Sequence, residues 1–498
     1  MGVTRVLKVA CVAVALSVAT AISSSAQTFT RLASFNSTNG ANPSQALIQG
    51  LDGNLYGTAA GGGIVNSSYC QNGCGTFFKI TPTGALSLLY IFCSQANCID
   101  GQEPVGALVL GSTGEFYGTT LGGGANGQGT VFKISSAGKL TTLYNFCSQA
   151  RCADGNFPEA GLLLASNGNF YGTTANGGTY GFGTIFEITP QGDLTTLYNF
   201  CSLGPTCGQF PESGLIQASN GNFYGMTPLG GKYDWGTIFE MTEQNQFTAL
   251  RAFVNDYHGG NPRSGLVEGP DENLYGTTLI GGYFVTCESG CGTIFKLTLT
   301  GQLTTLHAFC HAAFCPDGAN PYASPTLATD GNLYGSTEAG GASWSHCIGC
   351  GTLFEITPQG KLTTIHLFCS ETNCADGLGP IAPLVQATDG NFYGTTYAGG
   401  SSNACRGACG TIFKLSTGLT PFVKTVTTSG LVGANVVILG NNLTGTTSVA
   451  FNGTAAAFTV ISATEITATV PAGATTGTVS VKTPSSTLNS QAPFQVPQ

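Results

Sequence analysis

A short motif, Asn54-Leu55-Tyr56-Gly57-Thr58, returns along the chain with its tyrosine at Tyr117, Tyr171, Tyr224, Tyr275, Tyr334 and Tyr393, seven copies spaced 51 to 61 residues apart. A period of this length marks an array whose units cannot each bury an apolar face alone and must stack on neighbours. In the third copy, Gly161 to Ala165 is an apolar run, and Asn169 to Thr174 follows the turn Ser166-Asn167-Gly168. Gly183 to Thr189 and Leu194 to Phe200 then flank the turn Pro190-Gln191-Gly192. Ile185, Glu187 and Thr189 alternate with Phe186 and Ile188, the period-two signature of a strand. Asn-Gly and Asp-Gly pairs before the second strand supply the positive φ of tight hairpins. Glycine is abundant, 73 of 498 residues, without a Gly-X-Y triplet, so the excess marks turns and not collagen.

Four antiparallel strands per unit and seven units predict an all-β chain, with a seven-bladed β-propeller over residues 27–416 that leaves only short, protected edges. Copies of the fourth strand begin at Leu86, Leu140, Leu194, Phe247, Leu303 and Leu362, while the last unit, Ile381 to Ser416, has only three strands. An extra copy, Phe29-Thr-Arg-Leu-Ala-Ser-Phe35, precedes the first tyrosine motif. This N-terminal strand is expected to complete the last blade and close the ring. The tight turns then share one face, and the loops after the second strands share the other face with the crossovers.

Cysteine follows the same loops. Cys11 lies in the N-terminal apolar segment, and the other 18 cysteines form nine close pairs. Five follow the fourth strand: Cys93/Cys98, Cys147/Cys152, Cys201/Cys207, Cys310/Cys315 and Cys369/Cys374. Four precede a third strand: Cys70/Cys74, Cys287/Cys291, Cys347/Cys350 and Cys405/Cys409. Each pair is present or absent as a unit, which favours nine local disulfides. Zinc is the rival reading for Cys347-Ile-Gly-Cys350, but the equivalent pairs have wider spacing and lack further ligands. No metal or cofactor is expected.

Residues 1–26 read as an export signal: Arg5 and Lys8, an apolar run from Val9 to Ile22, and a small-residue site at Ser24-Ser25-Ala26. The run is shorter than a bilayer span, and no later stretch is apolar enough to cross. The expected protein is secreted or displayed on the cell surface, in an oxidising compartment that suits disulfides. Without Arg5 and Lys8, 14 bases face 25 acids. Nucleic acid is therefore excluded as a partner, because phosphate contacts need clustered Lys and Arg.

Tyr-Gly-Thr-Thr, Gly-Gly, Gly-Thr-Ile-Phe-Lys-Leu-Thr and Leu-Thr-Thr-Leu-Tyr together resemble the GloVer repeat, the Gloeobacter-Verrucomicrobium type, over about residues 29 to 416. That resemblance implies export and carries no agreed activity or catalytic residues. After Ser416 cysteine vanishes and Thr, Val and Ala rise. Short alternating segments such as Val432 to Leu443 and Gly477 to Val481 suit an immunoglobulin-like sandwich over residues 417–498. They resemble the IPT/TIG domain, which implies a spacer or interaction module.

Recurrent residues are expected to serve the blade. Asp52, Asp330 and Asp389 read as hairpin residues, and Asp100, Asp154, Asp317 and Asp376 as crossover turns, with a repeated calcium contact the minority reading. His307 and His366 stand where other copies carry Tyr144 and Tyr198. The variable loops carry Tyr69, Tyr180, Phe182, Tyr233, Trp235, Tyr283, Phe284 and Trp344, whose rings can stack on sugars, anchor a protein partner or simply pack over the blades. Glu103, Glu159, Glu212, Glu288 and Glu338 are placed on the same face without a visible pairing, and Glu159 and Glu212 share the context Phe-Pro-Glu. The leading expectation is an exported, non-catalytic binding or scaffold protein that engages extracellular glycan or protein through this face. The alternatives are a propeller hydrolase or lyase acting on extracellular polysaccharide, and a purely structural envelope protein. An enzyme requires two or three carboxylates, or a histidine, gathered in one pocket.

Overall fold

The computed structural model describes residues 27–63, 70–201, 207–283, 287–341, 349–402 and 409–497. The chain is all β apart from three single 3-10 turns among these residues. Seven four-stranded antiparallel sheets each contain one motif tyrosine and are numbered 1 to 7 from Tyr56 to Tyr393. Sheet 3 shows the pattern: Leu163–Leu164, Phe170–Thr174, Thr184–Ile188 and Leu194–Asn199 lie side by side. The same succession holds in sheets 1 to 6. In sheet 7 the outermost position beside Thr411–Ser416 belongs to Thr28–Ser34 from the other end of the chain. The register runs from Thr28 opposite Ser416 to Ser34 opposite Thr411, with a bulge between Arg31 and Ala33. A bulge interrupts the outer strand pair of every other sheet as well.

The motif explains itself in packing. The tyrosine strand is buried on both faces in every sheet. Its glycine seats a phenylalanine from the third strand: a Cβ on Gly118 would lie 2.8 Å from Phe132 Cζ, and the same contact recurs at Gly57 under Phe78 and Gly394 under Phe413. Six of the seven tyrosine hydroxyls donate to a carboxylate, as Tyr56 does to Asp52 at 2.9 Å and Tyr224 to Glu240 at 2.8 Å.

Neighbouring sheets are joined by a second repeated contact. The phenylalanine that ends each fourth strand packs on the third-strand phenylalanine of the next sheet, from Phe92 on Phe132 at 5.2 Å to Phe368 on Phe413 at 5.5 Å. Phe35, which follows the N-terminal strand, makes this contact with Phe78 at 5.1 Å. Sheet 7 therefore meets sheet 1 as any sheet meets its successor. Their shared core joins Tyr393 and Ile412 to Phe35, Leu55 and Phe78.

Beyond Ser416, two four-stranded antiparallel sheets enclose a single core of Val436, Ile438, Ile466, Phe451, Val479 and Val481. This region lies on the hairpin turns of the repeat array. Thr464 Oγ1 donates to Leu51 O at 2.7 Å, Gln491 Nε2 to Leu327 O at 2.6 Å, and Asn441 Nδ2 to Thr388 Oγ1 at 2.8 Å. Longer contacts reach Ser166 and Ser219, so turns of sheets 1, 3, 4 and 7 and the innermost strand of sheet 6 are all engaged.

Disulfides join Cys70–Cys74, Cys93–Cys98, Cys147–Cys152, Cys201–Cys207, Cys287–Cys291, Cys310–Cys315 and Cys369–Cys374. Cys350 and Cys409 are also disulfide-bonded, while Cys347, Cys405 and the export-signal segment 1–26 lie outside the described residues. Beside the crossover disulfides sit the recurrent aspartates. Buried Asp154 accepts from Tyr144 Oη, Ser148 N and Ser148 Oγ, each at 2.9 Å, and from Gln149 N at 3.1 Å. Asp100 and Asp376 are engaged in the same way. Their oxygens meet donors of the loop, the geometry of turn closure. Asp154→Ala removes the buried acceptor that four loop donors share and should cost about 1–3 kcal/mol in a urea titration.

Candidate functional site

Proline punctuates every repeat just before its innermost strand, at Pro43, Pro104, Pro158, Pro211, Pro262, Pro321 and Pro380. A Cβ on the glycine that opens the preceding sheet's third strand would lie within 2.8 Å of this proline ring, from Gly75 under Pro104 to Gly410 under Pro43. That close approach fixes the backbone in each repeat. The residue after the proline then enters a central cavity of about 460 Å³ to which all seven repeats contribute. Sheets 1, 2 and 7 supply Ser44, Val105 and Ile381; sheets 3 to 6 supply Glu159, Glu212, Arg263 and Tyr322. One sector of the wall is thus small or apolar, and the other carries two carboxylates, a guanidinium and a phenol.

The polar sector is electrostatically coupled. Arg263 Nη1 makes a hydrogen-bonded ion pair with Glu212 Oε2, and Arg263 Nε donates to Asn261 Oδ1 at 2.9 Å. Burial pushes the Glu212 carboxyl up, and Arg263 opposes it. Glu159 is pushed up further, to about 7, by burial and then by the negative charge of Glu212, with Arg263 again opposing. Burial also raises the Tyr322 hydroxyl, with the Arg263 cation opposing. At neutral pH the site therefore offers a partly protonated carboxyl beside the hydrogen-bonded Glu212–Arg263 pair, with a neutral phenol at its edge. Perturbed acids of this kind gathered in a concave site mark candidate acid–base centres.

Of the five glutamates placed on this face, the structure brings Glu159 and Glu212 together in the cavity, and Glu103, Glu288 and Glu338 are not among its lining residues. The aromatic loops divide. Tyr180, Tyr233 and Tyr283 are 60%, 48% and 39% exposed; Lys232 Nζ lies 5.0 Å from the Tyr233 ring, and Tyr283 meets Tyr257 edge-on at 6.0 Å. Phe182 instead packs against Phe210 at 5.4 Å and the core between sheets 3 and 4. Trp235 packs on the core between sheets 4 and 5. Tyr69, Phe284 and Trp344 lie outside the described residues. Arg263 and Tyr322 went unnoticed in the sequence, although both follow the recurrent proline; aligning that one position across repeats exposes them.

A model of the Gloeobacter/Verrucomicrobia repeat matches residues 18–163, 64–288, 149–346 and 285–491 in overlapping segments. The chain belongs to the Gloeobacter/Verrucomicrobia repeat family. A search of curated proteins finds no match. Among solved structures, the extracellular domain of BT4673 from B. thetaiotaomicron is similar at 11% identity and a TM-score of 0.47, covering 94% of this chain and 59% of that one. Hydrazine synthase of Kuenenia stuttgartiensis is similar at 12% identity and a TM-score of 0.47, over 72% of this chain and 94% of the other. A luciferin-regenerating enzyme follows at 11% identity and a TM-score of 0.39, over 80% and 97%.

Proposed function

We propose that the chain is an exported, seven-bladed β-propeller carrying an immunoglobulin-like domain of the IPT/TIG type, and that it performs acid–base chemistry, of the hydrolase or lyase class, on an extracellular saccharide held in the central cavity. The closed architecture is supported by the seventh Phe–Phe contact, Phe35 on Phe78. Seven described disulfides favour an oxidising location. The observation that carries the activity is the Glu159 carboxyl raised to about 7 beside the Arg263–Glu212 pair. In this reading water attacks the anomeric carbon as its bond to the leaving oxygen breaks, protonated Glu159 gives that oxygen its proton, the Glu212 carboxylate takes the proton of the water, and Arg263 and Tyr322 hold the substrate's polar groups. The cavity volume falls within the range of small-ligand sites, roughly 300–1,000 Å³.

Exposed Tyr180, Tyr233, Tyr257 and Tyr283 favour a second reading, in which the protein binds glycan or another protein without turnover. One experiment separates the two. The mature chain, Glu159→Gln and Arg263→Met are incubated with a panel of neutral and uronic oligosaccharides, and binding and product release are followed together. Turnover that falls at least about 100-fold in Glu159→Gln with binding retained supports general-acid chemistry. Binding without product that survives Arg263→Met supports the second reading. Turnover unchanged in Glu159→Gln sinks the first.

A further inference from the structure

Outside the cavity, one crossover loop departs from its siblings in a chemically directed way. In the repeats of sheets 1 and 2 the buried loop aspartate is held by a tyrosine and a serine: Tyr90 and Ser94 on Asp100, Tyr144 and Ser148 on Asp154. After sheet 6 the pair becomes His366 and Ser370 on Asp376. After sheet 5 both positions change, to His307 and His311 on Asp317. Tyrosine and serine already close this loop elsewhere, so hydrogen bonding does not require two imidazoles. What the imidazoles add, once their N–H protons give way to a cation, is a pair of nitrogen ligands beside a carboxylate.

We propose that His307, His311 and Asp317 form a binding site for a divalent first-row transition ion, with zinc the ion of choice. His307 Nε2 and His311 Nδ1 lie 2.8 and 3.1 Å from the same oxygen, Asp317 Oδ2, and the three ligand atoms are all within 4.8 Å of one another. Tetrahedral zinc, about 2.0–2.2 Å from each ligand, needs neighbouring ligand atoms roughly 3.3 Å apart. The two nitrogen–oxygen distances therefore have to open by only a few tenths of an ångström. His311, 55% exposed at its side chain, can make that movement, while Asp317, at 7%, is the fixed ligand. Asp317 Oδ1 is oriented by the Cys310 backbone N–H at 3.1 Å, an outer-shell contact of the kind that aims metal ligands. The Cys310–Cys315 disulfide closes the loop between the second histidine and the aspartate. Two imidazole nitrogens and one carboxylate suit zinc, copper or nickel better than calcium or magnesium. The exposure of His311 leaves the fourth position to water.

Zinc titration of the chelator-treated, disulfide-intact protein by calorimetry should give one equivalent bound, and cobalt should produce visible absorption of tetrahedral intensity. The double variant His307→Tyr with His311→Ser recreates the pair that holds Asp154, so it should keep the parent's circular dichroism and melting temperature. It should bind zinc at least about tenfold more weakly and lose the thermal stabilisation that zinc gives the parent. A parent that binds no zinc, or a folded variant that binds it as tightly as the parent, overturns the assignment. His307→Tyr alone provides a second measurement should the double variant fail to fold, and undiminished binding there has the same adverse meaning.

Discussion

Phe35→Ala should destabilise the protein by about 3–5 kcal/mol, the range for deleting a fully buried phenylalanine from a packed core. Phe35 is 0% exposed, its N–H donates to Gly410 O at 3.0 Å, and its ring rests on Phe78. Side-chain truncation keeps the backbone bond and removes the contact joining the two ends of the array. An open stack predicts a different result: an N-terminal strand at a free end would fray locally, and its loss would leave the rest unchanged. In a closed ring the penalty should match that of Phe146→Ala, whose ring rests on Phe186 at 5.3 Å, because both residues hold equivalent seams. Urea unfolding of the two variants checks this. A cost for Phe35→Ala below about 1 kcal/mol alongside a full cost for Phe146→Ala would contradict closure.

That seam was legible before any coordinates, because it depends on counting. Seven tyrosine motifs, six internal fourth strands and one spare copy at Phe29–Phe35 leave one place for the spare strand. Period-two alternation also places the sheets, since residues on opposite strand faces meet different partners. The cavity was harder to see for a physical reason. Recurrence of Phe-Pro-Glu at Glu159 and Glu212 argues for a structural role, and it is correct for the proline, which fills the space under a neighbouring glycine. The next residue has its backbone fixed by that packing and its side chain free to vary, so repetition there does not exclude a role in the cavity. The aromatic loops divide: Phe182 and Trp235 pack on the cores and Tyr180 is exposed, because irregular loops have no period from which facing can be read. Docking of the C-terminal sheets on the hairpin turns combines scattered polar contacts such as Thr464 to Leu51 with Leu439 and Val426 packed on the core of sheets 1 and 2, and neither leaves a pattern in sequence.

Glu159→Gln should stabilise the protein above pH 7 and leave it nearly unchanged near pH 4. The folded-state carboxyl is raised to about 7 from an ordinary value of 4.5, so between those limits the folded chain holds a proton that the unfolded chain has released. Stability supplied by that proton is complete below the unfolded value and is lost as pH rises through the folded one. Above pH 7 the wild-type cavity carries an ionised Glu159 against burial and against Glu212; glutamine keeps the shape without the charge. The expected gain at pH 8 is about 2 kcal/mol, after a discount for water entering the cavity. Arg263→Met should act with the opposite sign, costing about 2–4 kcal/mol at pH 8 and less at pH 5, because removing the cation leaves Glu212 and Glu159 to repel each other only when both are ionised. The double variant should recover part of that loss, since residues sharing one network do not add. Urea midpoints at pH 5 and pH 8 give all of these comparisons. An equal effect of Glu159→Gln at both pH values would mean that its carboxyl titrates normally, and the case for acid–base chemistry in the cavity would go with it.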